Sequence, residues 1–138
     1  MIIKQISIFM ENTTGRLADV TALLAQAGIN LRAISIADTT DFGILRMVAD
    51  QPDEAVKLLK EQGFTARETD VIAVEVPDQP GALATIMALF RDEGVNIEYL
   101  YASLEHKAEK AVIVLKVDDI AAGLAMLEKH GFATIPSF

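Results

Sequence analysis

Two six-residue stretches hold residue types from which a recognition site can be built: Asn12-Thr13-Thr14-Gly15-Arg16-Leu17 and Asp78-Gln79-Pro80-Gly81-Ala82-Leu83. In each, a polar turn and a glycine open an amphipathic run, so the glycine falls at the start of a helix. A helix N-terminus presents unpaired backbone N–H groups and a partial positive charge, which suit an anion such as a carboxylate. Glycine at 15 or 81 leaves no Cβ between that backbone and an approaching group. Asn12, Thr14 and Asp78 serve equally well as helix-capping and turn residues, so both roles stay open for them.

Residues for bond-making chemistry are missing by comparison. The chain has no cysteine, which removes disulfides, thiolate nucleophiles and sulfur-ligated zinc together. His106 lies in a charged turn and His130 closes a helix, and neither has a second histidine or a ligand-spaced carboxylate nearby. The pair Asp118-Asp119 falls at a predicted helix start, where capping explains it. Ser35 and Ser103 lack a local base, and no phosphate-binding loop or dinucleotide fingerprint is present. Tyr99 and Tyr101 share one strand face, a pattern seen in base-stacking sheets, but no basic residues interleave with them.

The two glycine turns belong to a tandem repeat. Gly15 maps to Gly81, and thirteen residues further on Gly28-Ile29-Asn30-Leu31 maps to Gly94-Val95-Asn96-Ile97. The offset of 66 residues also relates Ile6 to Ile72, Leu17 to Leu83, Val20 to Ile86 and Leu24 to Phe90. Gly63-Phe64 maps to Gly131-Phe132 at an offset of 68, which places a two-residue insertion near Glu105 to Lys110. Solenoid repeats run from about 20 to 50 residues, so this period points instead to two small domains, 1–69 and 70–138.

Hydrophobic residues make up 51% of the chain, ample for a core, and 20 acidic against 12 basic residues leave a net charge of -8. An acidic chain without a basic stripe argues against nucleic acid as partner. No apolar run approaches the roughly 18 residues of a membrane span, and the N-terminus alternates like a strand rather than a signal peptide. A cytoplasmic protein without a membrane partner is the expectation.

Alternation predicts a strand from Ile2 to Met10. Leu17, Val20, Leu23, Leu24 and Ala27 then recur at helical spacing and predict one inward stripe, ended by Gly28. Strands are predicted at Asn30 to Ala37 and Phe42 to Ala49, joined by a hairpin turn. Asp50-Gln51-Pro52-Asp53 signals a second helix start, and Gly63 stops that helix ahead of a short closing strand, Phe64 to Glu68. The second copy repeats the order: a strand from Val71 to Val76, a helix from Gly81, strands at Asn96 to Leu104 and Ala111 to Val117, a helix over Ile120 to Leu127 and a closing strand at Phe132 to Ile135. Strand, helix, strand, strand, helix, strand is the βαββαβ order of a ferredoxin-like α+β fold, here twice in tandem. Simple alternation puts Leu31 and Ala33 opposite Ile34 and Ile36, so the helix-free sheet face is apolar and is expected to meet another sheet, from the sister copy or a second chain.

With its repeat, its element order and its glycine turns, the sequence resembles the ACT family of small regulatory domains. The carrying residues are Asp78-Gln79-Pro80-Gly81 before Ala82-Leu83 and the strand entry Gly94-Val95-Asn96-Ile97, with a looser first copy at Asn12 to Leu17. The resemblance implies a stand-alone tandem ACT protein, without catalytic activity or cofactor, that binds a free amino acid at an interface between ACT units and reports it to an enzyme or regulator. A homodimer is expected. Carried onto this chain, the implied contacts are Asn12, Thr13, Thr14, Gly15, Arg16, Leu17, Asn30 and Leu31 in the first copy, and Asp78, Gln79, Pro80, Gly81, Ala82, Leu83, Asn96 and Ile97 in the second. Asn12 or Asp78 would accept from the ligand's ammonium, Asn30 and Asn96 offer donor and acceptor, and Leu17, Leu31, Leu83 and Ile97, core residues by pattern, could floor a side-chain pocket. Arg16 could meet a carboxylate or remain solvated. An interaction module without a small-molecule ligand is the rival reading.

Overall fold

The structure is a computed structural model that describes residues 1–104 and 109–136. Its elements run β1 (Ile3–Glu11), α1 (Arg16–Gln26), β2 (Leu31–Asp38), β3 (Phe42–Ala49), α2 (Pro52–Glu61), β4 (Thr65–Pro77), α3 (Ala82–Asp92), β5 (Ile97–Ala102), β6 (Lys110–Val117) and α4 (Ile120–Lys129). The chain divides into two compact units, Lys4–Thr69 and residues 70–136, the latter joined by Met1–Ile3.

The first unit is an antiparallel sheet in the order β2-β3-β1, flanked beyond β1 by the opening residues of β4. Alternation along β1 aims Ile6, Ile8 and Met10 at one core with Leu45 and Met47 of β3. The helices close it with Val20 and Leu24 from α1 and Ala55, Val56 and Leu59 from α2. These α1 residues recur at a spacing of four, which keeps them on one stripe. Leu17 departs from the predicted stripe: it is 45% exposed, and its counterpart Leu83 is 40% exposed. Both lie in the first helical turn, one turn before the buried stripe begins.

The second unit repeats this plan with β4, β6 and β5 in that order. Its core joins Ile72, Val74 and Val76 to Ile113 and Leu115, covered by Ile86 and Phe90 of α3 and by Met126 and Leu127 of α4. On the opposite face of these strands Val71, Ala73, Val112 and Val114 are buried as well.

Three sequence expectations change in the folded chain. The closing strand Phe64 to Glu68 and the next strand Val71 to Val76 form one continuous strand, β4, because no glycine or proline interrupts the backbone between them. The predicted strand over Phe132 to Ile135 shrinks to a single bridge, Val74 to Thr134, with Glu75 and Ile135 amides bonding across it. Leu31 and Ile34 both pack on the first core instead of lying on opposite faces, since a register shift between Leu31 and Ala33 inserts a residue and resets the alternation. A matching shift occurs between Ile97 and Tyr99.

Candidate functional site

The glycine turns fold alike in both copies. Gly15 and Gly81 take φ of 91° and 89°, a backbone conformation open to glycine and strained for other residues. A Cβ on either would meet nothing within 4 Å, so backbone geometry, not crowding, selects glycine here. Each turn is tied to its neighbouring hairpin: the Asn12 amide donates to the Asp41 carbonyl at 2.9 Å and the Asp78 amide to the Glu109 carbonyl at 2.8 Å.

What these turns leave unbonded is the chemistry of the site. Neither α1 nor α3 has a side-chain N-cap, whereas the Asp119 carboxylate accepts from the Ala122 amide at the start of α4. In the first turns Arg16 and Ala82 amides reach back to Thr13 and Gln79, and Asp19 and Thr85 amides to the two glycine carbonyls. The amides of Gly15, Leu17 and Ala18, and of Gly81, Leu83 and Ala84, have no acceptor among the described residues. Three donors are therefore left unbonded at each helix end, where the dipole also favours negative charge.

Beside α3 the surface forms a hollow of about 340 Å³ lined by Pro77, Gln79, Pro80, Gly81, Ala82, Thr85 and Phe132. The sequence reading named Gln79 to Ala82 but missed Pro77, Thr85 and Phe132. Its available signal was the repeated Gly-Phe pair, Gly63-Phe64 and Gly131-Phe132, which was assigned to sheet closure alone. In the first copy a hollow of about 240 Å³ is lined by Phe9, Met10, Glu11, Arg16, Phe42, Gly63, Phe64 and Thr65. There the Arg16 guanidinium lies 4.8 Å from the centre of the Phe64 ring and 3.5 Å from the Asp19 carboxylate.

The remaining predicted contacts separate into two groups. Asn12, Thr13 and Thr14 are exposed in the first turn, and Asp78 is exposed beside Gln79 and Pro80 in the second. The Asn12 side-chain amide donates to the Thr39 carbonyl at 3.2 Å, a bond that holds the turn. Asn30 and Asn96 lie past the far ends of α1 and α3, and an 11-residue helix is about 16 Å long, so within one unit they do not meet the glycine turn. Their backbones are clamped by aspartates the sequence reading took only for helix starts. The Asn30 amide donates to the Asp50 carboxylate at 3.0 Å, and the Asn96 amide to the Asp118 carboxylate at 3.0 Å. The return bonds run from the Asp50 and Asp118 amides to the Asn30 and Asn96 carbonyls. Leu31 and Ile97 pack partly buried on the two cores, whereas Leu17 and Leu83 stand free of them.

Residues placed for other chemistry stay apart. The described residues contain no cluster of three or more metal-ligating side chains. His130 approaches Glu93 at 3.6 Å at the surface, Asp119 caps α4, and His106 lies outside the described residues. No described helix is long and apolar enough to cross a membrane.

This architecture, two ferredoxin-like units each opening its first helix at an uncapped glycine turn, accords with the comparisons. The family model of the ACT domain pair matches residues 1–132. The chain belongs to the ACT family. Protein BT0572 from Bacteroides thetaiotaomicron, known as a crystal structure, shares 39% identity with this ACT pair at a TM-score of 0.92, covering 98% of this chain and 92% of that one. The regulatory subunit of aspartate kinase from Thermus thermophilus, in its ligand-free form, has the same fold at a TM-score of 0.68 and 19% identity, with 91% of each chain covered. The Thermus flavus counterpart aligns at a TM-score of 0.64 and 20% identity over 94% of each chain. Comparison with curated protein sequences finds no match.

Proposed function

We propose that this ACT pair is a non-catalytic regulatory protein that senses a free amino acid. The observation that carries the reading is the pairing of three unbonded helix-end amides with an adjoining hollow at Gly81. The α-carboxylate would take the amides, where charge-assisted hydrogen bonds are strong, and the ligand side chain would enter the hollow. Asp78, exposed and next to the turn, would accept from the ammonium. Asn96 and Ile97 lie too far along the unit to join the same ligand, so they would contribute from the ACT unit of a second chain. That requirement makes the working form a homodimer, with the exposed Leu17 and Leu83 at its ligand sites. Binding would shift the balance between two arrangements by its differential affinity for them, and an enzyme or regulator would read that shift.

Thermal unfolding in the presence of each of the twenty amino acids tests the proposal. A ligand at 100 times its dissociation constant adds about 2.7 kcal/mol to the free energy of unfolding. Gly81→Asp puts a carboxylate and a strained backbone where the ligand's carboxylate would lie, so it should abolish the response and leave dimerisation in place. A wild-type chain indifferent to all twenty would instead favour a docking module without a small-molecule ligand.

A further inference from the structure

We infer that the two ACT copies are unequal receptors: the second copy alone takes the ligand, whose side chain is uncharged, while Arg16 occupies the equivalent place in the first. The inference rests on the amino-acid-sensor reading and deepens it. Register makes the comparison residue by residue. Arg16, Asp19 and Phe64 of the first copy correspond to Ala82, Thr85 and Phe132 of the second. In the second copy those three residues line one open hollow of about 340 Å³. In the first, the Arg16 side chain lies across the Phe64 ring at 4.8 Å and is tied to Asp19 at 3.5 Å. It stands as a partition, with Arg16 and Phe64 lining separate hollows of about 240 and 330 Å³ to either side.

A cation in the first turn of a helix opposes the helix dipole, so Arg16 is not placed there by the helix itself. The ring of Phe64 and the carboxylate of Asp19 supply the attraction that holds it. Its Nε is buried without a hydrogen-bond partner among the described residues, while its Nη1 donates to the Asp19 carboxylate at 3.5 Å, so ring stacking and that one bond position the guanidinium. Ala82 and Thr85 cannot rebuild that arrangement: one has no charge, and the hydroxyl of the other is committed to the Gly81 carbonyl at 3.0 Å. Phe132, packed partly buried on the second core, therefore lines its hollow without a guanidinium over it.

The same lining selects the ligand. Among the described residues the lining, Pro77, Gln79, Pro80, Gly81, Ala82, Thr85 and Phe132, includes no charged side chain. With Asp78 engaged by the ligand's ammonium, a lysine, arginine, aspartate or glutamate side chain entering there would lose water without gaining a counter-charge from that lining, which costs more than an apolar contact returns. An aliphatic or other uncharged side chain loses nothing comparable.

The test is calorimetric titration of each of the twenty amino acids into three full-length chains: wild type, Arg16→Ala, and Ala82→Arg combined with Thr85→Asp, which rebuilds the partition in the second copy. Circular dichroism checks that each remains folded. Wild type should bind one amino acid per chain, one with an uncharged side chain. The Ala82→Arg/Thr85→Asp chain should lose that affinity by about tenfold or more. Arg16→Ala should keep it and gain a second site. Two equal sites in wild type, a charged amino acid as the strongest ligand, or weaker binding in Arg16→Ala would each overturn the inference and leave the sensor reading standing. Silence from all three folded chains would remove the sensor reading, and this inference with it.

Discussion

Asp118 shows how much one side chain can organise at the strand entries. Its carboxylate accepts from the Asn96 amide at 3.0 Å and from the Asp119 amide at 2.8 Å, joining the start of β5 to the turn before α4. Truncation leaves two donors to water and frees the strand entry, so Asp118→Ala should lower stability by about 1–2 kcal/mol, read as a lower urea midpoint at unchanged slope. Asp119→Ala removes the α4 N-cap and should cost about 1 kcal/mol. Glu93 behaves differently because it lies at the surface. Its hydrogen bond and charge contact with Lys129, helped by His130, hold its carboxyl below the ordinary 4.5. A depressed carboxylate stabilises the fold above its unfolded-state value and loses that contribution as pH falls through the folded one. Comparing Glu93→Gln with wild type across acid denaturation should therefore show the two curves converging below pH 4.5 and wild type slightly favoured above it. Curves that differ equally at every pH would exclude that linkage.

Among the elements, α4 packs tightly on its sheet at Gly123. A Cβ there would lie 3.2 Å from the Ile72 side chain and 3.3 Å from that of Val117. Ile72 is fully buried in the second core, so it has little room to yield. Gly123→Val should lower stability by about 1–3 kcal/mol through overpacking, even though valine is a better helix former than glycine. A thermal midpoint at or above wild type would show that α4 can slide outward. Phe90, buried on α3 within the same core, tests the opposite error: Phe90→Ala should cost about 3–5 kcal/mol by opening a cavity.

At the scale of the whole molecule, the net charge of -8 is the term no single contact balances. The surface ion pairs, such as Lys116 with Glu98 at 2.8 Å and Lys110 with Glu75 at 3.6 Å, are partly exposed and each is worth little. Self-repulsion among the excess carboxylates should then outweigh them. Raising ionic strength from about 0.01 M to about 0.15 M shortens the screening length from about 30 to about 8 Å, and the melting temperature should rise with it. A fall would mean that attractive pairs dominate after all. Much of this molecule was legible before folding was considered. The repeat, the two element orders, both glycine turns and a cap within the pair Asp118-Asp119 follow from spacing and residue type, because helical and strand periods and turn conformations are set by residues close along the chain. The positions of Gly15 and Gly81 were legible for that reason. Leu17 was misjudged because its spacing fits the helix stripe while the sheet that would bury it lies under the following turn. The alternation of β2 was misjudged because a bulge is fixed by the partner strand. Phe132, the clamps at Asp50 and Asp118, and the guanidinium of Arg16 over Phe64 join residues far apart in sequence, so no local pattern announces them. By itself the sequence determined that this chain makes two like ACT units, each opening its first helix at a glycine turn. Only the tertiary structure decided that Gly81 opens on a hollow lined by Phe132 while Arg16, next to Gly15, stacks on Phe64, since that difference depends on which side chain a distant ring is brought to meet.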